Sequence, residues 1–189
     1  MHSFSVFVER DLVNRVFIDS ACECAVEYSV MPEFFNSSFG LRLTIPQVVA
    51  EIVRFMKADT RRKYKITIGT DSQPLAGGKA DFVTAVVVHR VGNGGRYFFR
   101  RAEFSKFHTL RDRIMKEVLV SLDAATTLLE TLKKQSETKF DFEIHADIGE
   151  NGSTKQMLQE VVSIIRAHNF EAKTKPESYA ASNVADRHT

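Results

Sequence analysis

Cysteine is scarce in this chain of 189 residues: Cys22 and Cys24 are the only two. A pair so close together builds no disulfide framework, and without histidine or further cysteine nearby it makes a poor zinc site. Long apolar runs are missing as well. None approaches the roughly 20 residues that cross a bilayer, and Glu9, Arg10 and Asp11 fall where a secretory leader needs unbroken apolar sequence. The expectation is a cytoplasmic protein with reduced thiols and no membrane partner. Net charge is also small, +2 at neutral pH, so no global basic excess announces a nucleic-acid protein. Basic clusters at Arg61-Arg62-Lys63-Tyr64-Lys65 and Arg96 to Arg101 are local. No repeat or low-complexity stretch divides the chain. A P-loop is absent too, because Gly92-Asn-Gly-Gly95 precedes a strand pattern rather than a helix and reads as a hairpin turn.

What is present is an α/β order of elements. Residues 1–35 read as an N-terminal extension without firm turn signals, and Met31 offers an alternative start. Residues 36–189 read as one domain. Thr44 caps a helix with Pro46 in its first turn and Val48, Val49, Ile52, Val53 and Met56 on one face. Alternation at Tyr64–Ile68 predicts a strand that ends in Gly69-Thr70-Asp71-Ser72-Gln73. Phe82–Val88 and Arg96–Phe104 predict two more, joined by the glycine-rich turn. Thr109 opens a long helix through Leu132. Phe140–Asp147 predicts a fourth strand, and Ser153 or Thr154 opens a helix through Ile165. Phe170–Thr174 predicts a fifth strand, and the residues from Ser178 onward a last helical turn or two. The order βββαβαβα after a leading helix predicts a mixed sheet of three antiparallel strands extended by crossovers.

Four carboxylates fall on four of these elements. Asp71 lies at the exit of the first strand, where a turn-capping role is the ordinary alternative. Glu117 and Ser121 interrupt the otherwise apolar stripe of the long helix, with Asp112, Asp123 and Glu130 as other acids on that helix. Asp147 ends the fourth strand, sharing with Asp141, Glu143 and His145 the face opposite Phe140, Phe142, Ile144 and Ala146. Asp186 follows a run of small residues near the C-terminus. Carboxylates gathered in one place repel one another unless cations are bound. Mg²⁺ or Mn²⁺ suits such hard oxygen ligands, and a pair of such ions can activate water against a phosphodiester. His145 and Ser72 are candidate auxiliaries, and Lys155, which opens the helix after Gly152, is a candidate phosphate contact aided by the helix N-terminus.

The arrangement resembles the ribonuclease-H-like superfamily. Thr70-Asp71-Ser72-Gln73 is similar to the motif that ends the first strand of those enzymes, and Asn183-Val-Ala185-Asp186 to the start of their last helix. A closer likeness is to the YkuK-type bacterial proteins of unassigned function. It rests on Ile68-Gly-Thr-Asp-Ser-Gln73, His145-Ala-Asp-Ile-Gly149 and Lys175-Pro-Glu-Ser-Tyr-Ala-Ala-Ser182, and it covers roughly residues 35–189. The resemblance implies a five-stranded mixed sheet with helices on both faces. It implies a metal-dependent nuclease in which Asp71 bridges the ions, Glu117 and Asp147 hold them, and Asp186 or nearby His188 completes the set. Nucleic acid is the implied partner. A domain that keeps the fold and binds nucleic acid or protein without catalysis is the second expectation. An actin-like ATPase or sugar kinase, suggested by Ile68-Gly-Thr-Asp alone, needs a duplicated chain that is not seen here.

Overall fold

The computed structural model describes residues 32–150, 154–178, 184 and 188. The expectations that fall on Cys22, Cys24, Met31 and Asp186 therefore lie outside the described residues.

Two reciprocal caps start the main helices where the sequence predicts them. The Thr44 amide donates to Gln47 Oε1 at 2.8 Å, opening α1 (Ile45–Lys57). Asp112 N–H donates to Thr109 Oγ1 at 3.1 Å while the Thr109 amide donates to Asp112 Oδ2 at 3.0 Å, opening α2 (Leu110–Gln135). Each pair satisfies amides that the first turn would otherwise leave without acceptors. A third helix, α3 (Leu158–Ala167), follows a single turn at Lys155–Met157. None of the described helices is long and apolar enough to cross a membrane.

Among the described residues, seven strands form one sheet in the order β2-β1-β5-β4-β3-β6-β7. The predicted meander is β3 (Tyr64–Pro74), β4 (Ala80–Arg90) and β5 (Gly95–Phe104), all antiparallel. β6 (Asp141–His145) and β7 (Glu171–Lys173) extend it in parallel beyond β3. The count corrects the expected five. Beyond the meander's other side lies a hairpin, β1 (Phe34–Ser37) and β2 (Arg42–Thr44), that pairs with β5. Gly40, at φ +79°, turns it. β1 straddles the expected boundary between residues 35 and 36, and its Phe35 is 1% exposed in the core.

The three described helices share one face of the sheet. Val48, Ile52 and Met56 of α1, Val118, Leu122 and Leu128 of α2, and Val161 and Ile165 of α3 enclose one core with Ile66, Ile68, Val86 and Ile144. Burial of this kind stabilises by about 25 cal/mol per Å² of apolar surface. On the opposite face Val184, in helical backbone, packs on Val83 and Ala85, and His188 stacks on Phe99 with ring centroids 3.7 Å apart. The Gly92–Gly95 hairpin brings Gly95 so near β4 that a Cβ there would stand 2.7 Å from the Val88 carbonyl oxygen. Gly95→Ala is expected to cost about 1–3 kcal/mol by overpacking, read as a lower urea midpoint with an unchanged slope.

Candidate active site

Glu117 and Ser121 interrupt the apolar stripe of α2 because β3 offers hydroxyls to meet them. Ser72 Oγ donates to Glu117 Oε1 at 2.5 Å, and Ser121 Oγ donates to Thr70 Oγ1 at 2.9 Å. The two repeats match. Four helical residues advance about 6 Å and two strand residues about 6.6 Å, so 117 and 121 meet 72 and 70 with α2 running against β3. Thr70 Oγ1 lies 3.1 Å from Thr84 Oγ1 on β4, and the cross-strand partner of Thr84 is Arg100. A polar seam thus crosses the sheet under α2, all of it buried. At its far end Arg100 lies over the Phe35 ring, 3.8 Å from Asp123.

The other acids of α2 have different roles. Asp112 serves the helix cap, and Asp123 is 72% exposed beside Arg100. Glu117 alone faces the end of β3.

Strand alternation separates Asp71 from its neighbours. Thr70 and Ser72 face α2, so Asp71 faces the opposite side, where its cross-strand partner Val83 meets Val184. Asp147 follows β6, whose parallel register with β3 brings the ends of the two strands together. Three carboxylates from three elements therefore approach the same end of the sheet. Burial, with the neighbouring negative charges of Asp71 and Asp147, pushes the Glu117 carboxyl up to about 8, against the opposing pull of the Ser72 hydroxyl and Arg113. A carboxyl raised in this way favours its protonated form. A water-sized cavity of about 10 Å³ lies beside it, lined by Thr70, Glu117, Ser121, Ala146 and Asp147 among others.

Two cations bracket the acids, and sequence reasoning did not single out either. Arg113, one turn before Glu117, donates from Nη1 to the Ser72 carbonyl at 2.7 Å. Lys175 Nζ lies 3.0 Å from Asp147 Oδ2. Its amide donates to the Ile148 carbonyl at 2.8 Å, and its stem passes so close to Gly149 that a Cβ there would be 3.1 Å from the lysine Cβ. The i−4 spacing to Glu117 was a signal for Arg113. For Lys175 the signal was its place in the Lys175–Ser182 motif.

The remaining candidates are placed as follows. His145 is 1% exposed, its Nε2 3.2 Å from Glu143 Oε2, while Glu143 Oε1 accepts from Lys65 at 2.9 Å. Burial holds the His145 pKa below its usual value despite Glu143. Glu143 and His145, on the face of β6 that alternation leaves to them, are therefore buried and paired. Lys155 is exposed in the turn before α3. His188 lies over β5, two strands from Asp71. Among the described residues no three His, Cys, Asp or Glu side chains stand close enough to hold a metal ion. The described donors are nonetheless of the right chemistry for a hard divalent cation: carboxylate oxygens, of which the Glu117 carboxyl is raised first by burial and then by its acidic neighbours.

Comparison with known proteins adds a family to this geometry. The family described as Ribonuclease H-like matches residues 47–189. The chain is 33% identical over 167 residues to "Uncharacterized protein YkuK" of Bacillus subtilis (strain 168), a span that covers 82% of this chain and 96% of that protein. No solved structure matches the chain.

Proposed function

We propose that this chain, which belongs to the ribonuclease-H-like family and is of the YkuK type, is a divalent-metal-dependent nuclease acting on phosphodiester bonds of RNA, an RNA–DNA hybrid or structured DNA. The domain is of a nucleic-acid-related fold. The observation that carries the catalytic reading is that buried Glu117 and Asp147 line one small cavity where the ends of β3 and β6 meet, with Asp71 adding its negative charge there. That is an arrangement with negative charge in excess and oxygen ligands to offer. Asp71, Glu117 and Asp147 would hold Mg²⁺ or Mn²⁺, together with Asp186. When bound, such ions supply an activated water and stabilise the departing oxygen. The chain's own contribution is positioning. Ser72 aims the Glu117 carboxyl, Arg113 anchors the Ser72 carbonyl, and the Ser121–Thr70 bond sets α2 against β3. Val184 packs against Val83, the cross-strand partner of Asp71, which supports a role for the C-terminal residues on Asp71's side of the sheet.

A second reading, a nucleic-acid-binding domain that has lost catalysis, is favoured by the pairing of Asp147 with Lys175 and by the lack of a three-donor cluster among the described residues. Hydrolysis of labelled RNA, hybrid and DNA with Mn²⁺ separates the two readings. The parent is expected to cleave at least one of these, and Asp71→Asn to lose both cleavage and saturable Mn²⁺ binding while keeping its melting transition. A well-folded parent that neither cleaves any of the three nor binds Mn²⁺ ends the nuclease reading.

A further inference from the structure

We infer that Lys175 is a substrate-binding residue, the group that receives a backbone phosphate of the nucleic-acid strand beside Asp147. The inference rests on the nucleic-acid reading above and adds a residue to it. A phosphodiester approaching three carboxylates meets repulsion, so the site needs fixed cations at its rim. Arg113 and Lys175 are held beside it, and they differ in availability. Arg113 spends a guanidinium N–H on the Ser72 carbonyl, which belongs to the strand beneath the site. Lys175 carries an ammonium with three donors, of which Asp147 Oδ2 takes one at 3.0 Å. The lysine side chain is 53% exposed, whereas Asp147 is 21% exposed. The ammonium thus sits on the solvent side of the carboxylate, where a strand arrives.

The stem is also held. The Lys175 amide donates to the Ile148 carbonyl, and the stem passes over Gly149, where any Cβ would crowd it. A lysine whose backbone is tied to the loop after β6 holds its charge at one place, so less freedom is lost when it meets phosphate. The same attachment brings Lys175 beside Asp147 although a helix and a strand separate them in sequence.

The test uses strand binding in EDTA, with no hydrolysis to read. Anisotropy of labelled single-stranded RNA and of an RNA–DNA hybrid is followed across a KCl titration. Lys175→Met keeps the apolar stem over Gly149 and loses the charge. Its binding is expected to weaken severalfold regardless of base sequence, and the slope of log K against log salt to fall by about 1. Lys175→Arg is expected to keep the parental slope. Asp147→Asn, which releases the ammonium, is expected to tighten binding severalfold, and that gain is expected to shrink or vanish when Lys175→Met is added. A lysine that merely anchors its own loop predicts equal slopes in parent and Lys175→Met, and equal slopes overturn the inference while leaving the nucleic-acid reading intact. A folded parent that binds neither probe at low salt overturns both together.

Discussion

Glu117→Gln is expected to make the ion-free protein more stable at pH 8 and to remove metal-dependent cleavage. The two effects have one cause. In the native protein Glu117 is raised to about 8 from an ordinary value of 4.5, first by burial and then by Asp71 and Asp147. Between those values the folded chain holds a proton that the unfolded chain releases, so each rise in pH favours unfolding. The stability associated with the protonated side chain is complete below about pH 4.5 and is lost as pH climbs through about 8. At 1.36 kcal/mol per pKa unit the effect is on the order of 5 kcal/mol at most. Glutamine accepts the Ser72 hydroxyl as the protonated acid does and has no proton to lose. Melting curves in EDTA from pH 5 to pH 8.5 should therefore fall less steeply for Glu117→Gln than for the parent. Cleavage with Mn²⁺ should drop by about 10³-fold, equivalent to roughly 4 kcal/mol of barrier. A parallel pair of stability profiles would show that the Glu117 carboxyl is not held protonated in solution.

Leu128→Ala is expected to carry the largest purely structural penalty of those considered. Leu128 is 1% exposed in the shared core, on the helix that also carries Glu117. Cutting its side chain back to a methyl forfeits transfer energy and leaves a cavity, together about 3–4 kcal/mol. For a chain of this size that lowers the melting temperature by roughly 6–16 °C. Well below the transition, cleavage should stay within a few-fold of the parent. Leu128 lies three turns beyond Glu117, and the contacts that aim the carboxyl, Ser72 to Glu117 and Ser121 to Thr70, do not include it. Loss of cleavage without loss of stability would contradict this separation of scaffold from site.

These two residues also mark what could be read from sequence. Thr44 with Gln47 and Thr109 with Asp112 announce their helices because a capping box closes within three residues. The β3–β5 meander was legible because its strands are long and joined by tight turns. β1 and β2 were not: with four and three residues they are too short to show a period, and they gain their place by pairing with β5, some sixty residues on. Glu117 stood out from Asp112, Asp123 and Glu130 because it breaks an apolar stripe. Why the break is tolerated became visible only when the register set Ser72 opposite it. Alternation assigned the faces of β6 correctly, but not the burial of Glu143 and His145, which depends on contacts distant in sequence such as Lys65 on β3. Arg113 and Lys175 escaped notice as site residues because their roles depend on partners on other elements, Ser72 and Asp147.

The outermost strands, β2 and β7, have three residues each, and both carry cationic side chains, Arg42 and Lys173. The long β-rich interior strands, β3 and β4 with eleven residues each, are thereby shielded on both flanks by stubs that offer little free backbone to a neighbouring molecule. An added strand could form few hydrogen bonds there and would have to accommodate charge at the seam. Short charged outer strands of this kind disfavour edge-to-edge pairing, and lengthening or neutralising either stub is the change that would invite aggregation.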